Sequence, residues 1–145
     1  MNRKNFVQTC VLAFSILGLT GCGVMSQTAS TPKNKVVFQV SDGDAGKWNL
    51  ALNNAKNVQE SLGAANVLIE IVAYGPGIGM LKAEATTSNR VTDAIKSGVQ
   101  IVACENTMTA LKLTPADMNP AISYVPAGVV EIMKRQSEGW AYVRP

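Results

Sequence analysis

Cys104 stands where an apolar, β-branched run, Val99 to Ala103, gives way to Glu105, Asn106 and Thr107, polar residues that suit a helix start. The N–H groups of a helix head lower a thiol's pKa, and open α/β sheets collect their chemistry at the carboxyl ends of their strands. The chemistry on offer is nucleophilic attack by sulfur. Glu105 opposes it, because a neighbouring carboxylate disfavours a second negative charge. The plain alternative is a strand-end cysteine that only packs, a common fate of a free cysteine.

The sequence contains no histidine. That removes Ser-His-Asp triads and Cys-His dyads, so any mechanism must run without an imidazole base. The cysteines are Cys10, Cys22 and Cys104. The first two fall in the leader region, which leaves no internal disulfide framework and no zinc set of the usual Cys/His kind. No metal and no cofactor are expected. Asp42 and Asp44 share one short loop. Acid and base roles are conceivable there, but Asx-turns and helix caps are the commoner use, and hydrolase chemistry finds no further acidic partner. Lys134 and Arg135 read as a solvated basic pair on the last helix.

Gly75, Pro76, Gly77, Ile78 and Gly79 form a loop with unusual backbone freedom. Free N–H groups in such a loop hold anions, although neither a P-loop nor the dinucleotide fingerprint is present. A tight strand-to-helix turn is the simpler reading. Asn106 is placed to orient a ligand or to cap a helix. Pro126 and Gly128 open the final helix. In a parallel sheet the loops at 41–44, 75–79, 104–106 and 126–128 all reach the carboxyl edge and lie side by side. The expected site is therefore Cys104 as nucleophile, with Gly75, Pro76, Gly77, Ile78, Glu105, Asn106, Pro126 and Gly128 around it.

The elements that must position these loops alternate. Strands are expected at 35–41, 66–74, 99–103, 122–125 and 140–143, and helices at 45–62, 80–84, 88–97, 105–111 and 129–137. Asp44 is the cap of the first long helix and Gly63 its stop. Glu70 within the second strand predicts a position near an edge, or a face that reaches water. Trp140 and Tyr142 give the last strand one aromatic face, as core or as a subunit contact. The alternation predicts an α/β fold with helices on both faces of a mainly parallel sheet. With 145 residues and 47% hydrophobic content the chain suffices for one domain and its core. Formal net charge is +3; without Arg3 and Lys4 it is 11 basic against 10 acidic residues, or +1. No basic stripe remains, and nucleic acid is not expected as a partner.

Residues 1–21 read as a signal peptide, with Arg3 and Lys4 ahead of an apolar run too short to span a bilayer. Leu19-Thr20-Gly21-Cys22 looks like the lipobox of bacterial lipoproteins, which makes Cys22 the lipidated residue. Gly23, rather than aspartate, follows it, which in Gram-negative lipoproteins implies the outer membrane. Residues 22–34 form a Ser/Thr-rich tether reaching on the order of 20 Å. The expected location is the cell envelope, lipid-anchored and facing the periplasm.

Across residues 35–145 the chain resembles the DsrE/DsrF-like family of small sulfur-handling proteins. The matching stretches are Tyr74-Gly75-Pro76-Gly77-Ile78, Val102-Ala103-Cys104-Glu105-Asn106-Thr107-Met108, Tyr124-Val125-Pro126-Ala127-Gly128-Val129-Val130-Glu131 and Gly139-Trp140-Ala141-Tyr142. The resemblance implies a three-layer α/β/α domain on a five-stranded parallel sheet, and a homo-oligomer, trimer or hexamer. It also implies a persulfide-carrying cysteine, here Cys104, serving a sulfur carrier or sulfurtransferase-like activity with a donor or acceptor protein as partner. The alternative is a non-catalytic, oligomeric envelope lipoprotein that binds a small ligand or a partner.

Overall fold

The computed structural model describes residues 34–145. The expected signal peptide, Cys22 and all of the expected tether but Asn34 lie outside the described residues. Five strands, β1 (Asn34–Val40), β2 (Val67–Ala73), β3 (Gln100–Cys104), β4 (Ser123–Val125) and β5 (Ala141–Val143), alternate with four α-helices. These are α1 (Ala45–Leu62), α2 (Ser88–Lys96), α3 (Glu105–Ala110) and α4 (Gly128–Ser137). Asp44 caps α1 as its position predicts, its carboxylate accepting the Lys47 N–H at 2.9 Å. Gly63, at φ 82°, ends that helix.

The sheet order is β4-β3-β2-β1-β5, and every neighbouring pair is parallel. This order explains the layers. From β1 to β4 the chain steps in one direction, and right-handed crossovers leave α1, α2 and α3 on one face. The return from β4 to β5, beyond β1, runs the other way and sets α4 on the opposite face. The result is the three-layer α/β/α fold that the sequence predicts. The first face packs Val36, Phe38, Ile69, Ile71 and Ile101 against residues such as Leu52, Ala55, Val91 and Met108. The second is thinner: Val37, Val72 and Val102 meet only Ile132 and Trp140 as buried apolar partners.

That thin face holds a polar surprise. Glu70, expected at an edge or facing water, lies on the middle strand and is 1% exposed. Strand alternation aims it toward α4 with Val72, and Arg135 reaches down to meet it. The guanidinium Nε bonds the Glu70 carboxylate. Nε also pairs with Glu131 at 2.9 Å, Nη1 bonds Glu138 at 3.2 Å, and the guanidinium carbon rests 4.9 Å over the Trp140 ring. Arg135 is thus no solvated residue, a second departure from expectation. Burial holds the Glu70 carboxyl above the usual range, and Arg135 offsets this only in part.

Other elements differ in detail. Gly75–Leu81 is a 3-10 turn rather than a loop leading into a helix at 80–84, since Pro76 and three glycines favour tight turning over α-helix. Of the apolar residues on α4, Ile132 is buried while Val129, Val130 and Met133 are exposed. The aromatic pair also divides: Trp140 is buried and Tyr142 exposed.

Removing one partner of a buried pair strands the other charge. Arg135→Ala is therefore expected to lower unfolding free energy by about 3 kcal/mol in urea titration. The apolar pair Glu70→Leu with Arg135→Met should restore most of that loss, by the same desolvation logic. Equal losses in both variants would refute the buried-charge account.

Candidate thiol site

The direction reversal that sends α4 to the far face also makes the site. The loops after β1, β2 and β3 lead to the first face, and the loop after β4 leads to the second. Between β3 and β4 the connections part, which is where open α/β sheets form ligand crevices. Cys104, the last residue of β3, pairs in register with Val125 of β4 at that point.

All four expected loops meet at this edge. The Gly75 N–H donates to the Thr107 hydroxyl at 3.0 Å, joining the glycine turn to α3. The Asn106 N–H donates to the Pro126 carbonyl at 3.2 Å, joining α3 to the loop before α4. Gly43 lies against Pro76, where an added Cβ would sit 3.4 Å from the proline Cβ. Gly128 is wedged between Tyr74 and Cys104: its Cβ would come within 3.1 Å of Tyr74 and 3.3 Å of the Cys104 Cβ. Gly77 presses on β1 so closely that a Cβ would lie 2.2 Å from the Val40 carbonyl oxygen. Any side chain there would displace the turn.

The expected site residues divide by role. Gly75, Gly128, Asn106 and Pro126 surround the thiol or tie its loops together. Pro76 is exposed at the rim, and Glu105 points to solvent on α3. Ile78 turns into the core on the first face, so it anchors the turn and does not line the site. Asp44 is a helix cap, as the commoner reading predicts, whereas Asp42 pairs with Lys47 at 3.1 Å and Arg144 at 3.4 Å.

The environment of Cys104 favours charge. Burial pushes its pKa up, yet the Thr107 hydroxyl and the N–H groups of Gly128, Thr107 and Asn106 outweigh this and hold the thiol below its ordinary value. As a thiol, Cys104 makes no side-chain cap bond to α3. These donors act on ionisation, because the thiolate is the better acceptor. The residue is 5% exposed, so the sulfur lies beneath the rim. Two cavities sit elsewhere. One of about 590 Å³ lies between α1 and α2, and one of about 440 Å³ runs past Glu70, Gln100 and Arg135.

Two residues absent from the expected set belong to this edge. Thr107 follows Cys104 by three positions, the spacing at which an N-cap and its third helical residue face each other, so its signal was present in the sequence. Tyr74 had none. Ala73 pairs with Ala103, which places Tyr74 opposite Cys104, and only the strand order reveals that.

The profile of the DsrE/DsrF-like family matches residues 34–145. The chain belongs to that family. Among solved structures it is similar to MTH1491, a protein of unknown function from Methanobacterium thermoautotrophicum, at 35% identity and TM-score 0.74, covering 77% of this chain and 99% of that one. It is also similar in fold to BT1422, a conserved protein of unknown function from Bacteroides thetaiotaomicron, at 13% identity and TM-score 0.59, covering 77% of this chain and 95% of that one. Comparison with curated proteins gives no match. The DsrE/DsrF-like family is associated with sulfur relay.

Replacing Thr107 by Val removes a hydroxyl donor while keeping the shape. The rate of Cys104 alkylation by iodoacetamide at neutral pH should fall about threefold to tenfold, and its pH midpoint should move up. Thr107→Ser should retain the wild-type profile. A Val variant with an unchanged midpoint would show that the hydroxyl does not stabilise the thiolate.

Proposed function

We propose that this protein is a sulfur carrier or sulfurtransferase-like member of its family, with Cys104 accepting and passing on sulfane sulfur. The observation that carries this reading is the placing of Cys104 at the parting of β3 and β4, where it directly precedes α3 and the first residue of α4, Gly128, lies against its Cβ. A sulfur nucleophile without a histidine needs its charge stabilised by fixed dipoles, and this edge supplies them. Gly128 at the head of α4 brings bare backbone against the Cys104 Cβ, where a side chain would crowd it, and Gly75 ties the glycine turn to Thr107. Thr107 belongs to the proposed site with Gly75, Asn106, Pro126 and Gly128.

We further propose that it works at the cell envelope, lipid-anchored through Cys22 at the outer membrane, and as a homo-oligomer, a trimer or hexamer, that exchanges sulfur with a partner protein. The exposed Val129, Val130 and Met133 of α4 support assembly, since clustered apolar side chains of this kind mark contact surfaces.

A second reading is favoured by the low exposure of Cys104. In it the protein is a non-catalytic envelope module that binds a small ligand or a partner, and the thiol is part of its packing.

Incubation with inorganic polysulfide, followed by intact mass measurement under non-reducing conditions, separates the two. The expected result is a gain of whole sulfur atoms in the wild-type protein, lost on dithiothreitol treatment and absent from Cys104→Ser. No gain, or an equal gain in the serine variant, would leave the binding-module reading in its place.

A further inference from the structure

We propose that the groove between α1 and α2 is a binding site for a small organic anion, a carboxylate on a single hydrocarbon chain, with Arg90 as its anchor. The groove lies over the first face, toward the amino ends of the strands, and the proposal does not rest on the sulfur-carrier reading.

Small side chains make the space. Ala55, Ala64 and Ala94 border it where larger residues would close the two helices on each other. Its volume of about 590 Å³ falls within the range of small-molecule sites, about 300 to 1,000 Å³. Leu52, Ala55 and Val99, all buried against the core, form the floor. The aliphatic stems of Lys56 and Arg90 extend the apolar wall. Hydrogen bonds between the helices close both ends. At one end the Gln59 amide donates to the Ser97 carbonyl at 2.8 Å. At the other the Arg90 guanidinium donates to the side-chain carbonyls of Asn49 and, at 2.6 Å, of Asn53. From Arg90 to Ser97 the groove runs about 10 Å along the helix axis, room for a chain of about eight carbons.

Charge then selects the head group. All ten side-chain carboxylates of the sequence lie within the described residues, and none of them pairs with Arg90. Arg135 and Arg144, by contrast, each hold a carboxylate. The acids that border the groove, Glu60 and Asp93, are exposed and turn to Lys56 at 3.5 Å and Lys96 at 4.0 Å, where water and salt screen them. Arg90 is fixed instead by two neutral amide oxygens. Asn49 is itself held in orientation, since its amide donates to the Ala45 carbonyl at 2.8 Å. Those two bonds take two of the five guanidinium N–H groups and leave three. What this end of the groove offers is therefore a positioned cation with spare donors and no acceptor. A carboxylate is its complement in charge and in planar shape. The apolar floor behind it suits hydrocarbon, and a second polar group there would lie unpaired.

The full chain, titrated with sodium octanoate and followed by backbone amide NMR, should bind one equivalent with a Kd below about 1 mM. The shifted signals should centre on Leu52, Arg90, Ala94 and Val99. Each methylene taken out of water is worth about fourfold, so hexanoate should bind about tenfold to twentyfold more weakly. Octanol, with the chain but no charge, should bind about tenfold more weakly or worse. Arg90→Met keeps the stem, removes the fork and should lose about tenfold or more in octanoate affinity. Ala94→Leu fills the groove without touching the cation and should cause a comparable loss. No binding of octanoate, or shifts centred elsewhere, would overturn the proposal. So would octanol binding as tightly as octanoate, or wild-type octanoate affinity in either variant.

Discussion

The ion pair between Glu70 and Arg135 is the contact on which the second layer depends. On the first face many apolar side chains hold three helices. On the second, α4 has Ile132 and little else to bury, and a helix with so small an apolar stripe would slide on the sheet. Arg135 prevents this by reaching a carboxylate planted in the middle strand. The bond acts as a positional pin more than as a source of stability, since a buried pair gains little over a well-packed apolar one. The pin lies seven residues from Gly128, about 10 Å along the helix axis. It therefore sets where the head of α4 meets Cys104.

From that pin the site follows by geometry. The reversal of chain direction between β4 and β5 splits the connections after β3 and β4, and the thiol sits at the split. The heads of α3 and α4 flank it from two directions, while the glycine turn holds Thr107 from a third. A shift of α4 would withdraw the Gly128 N–H and loosen the Tyr74 ring together. The stability of the far layer and the acidity of the thiol are coupled through one helix.

Much of this was legible in the sequence, and the failures have physical causes. Alternation of strand and helix, the cap at Asp44 and the four edge loops are local signals, and the fold obeys them. Glu70 misled because a carboxylate on a strand ordinarily marks water, and its partner is 65 positions away on an element of opposite layer. Arg135 misled for the complementary reason. Ile78 looked like a loop residue because the flanking glycines hide a 3-10 turn whose apolar side chains enter the core. Tyr74 escaped notice as a site residue because its relation to Cys104 is a matter of register between strands, and no spacing along the chain encodes it.

The depth of Cys104 bears on what kind of sulfur chemistry suits this edge. A thiolate held just under the rim by fixed donors is stabilised without being offered to large reagents. That combination fits exchange with small species better than direct attack on a folded protein's disulfide, which would need the sulfur proud of the surface. It also fits the product. A persulfide is lost to water-borne thiols and oxidants, and a site that excludes solvent protects it between transfers. On the proposed carrier reading, delivery to a partner protein would require that the partner present a thin, flexible segment, or that the loop before α4 give way. The second route is tied to the pin, because lifting Pro126 and Gly128 means tilting α4 against Arg135. Acidity, protection and release thus depend on the same helix, and the carboxylate in the middle of the sheet limits how far it can move.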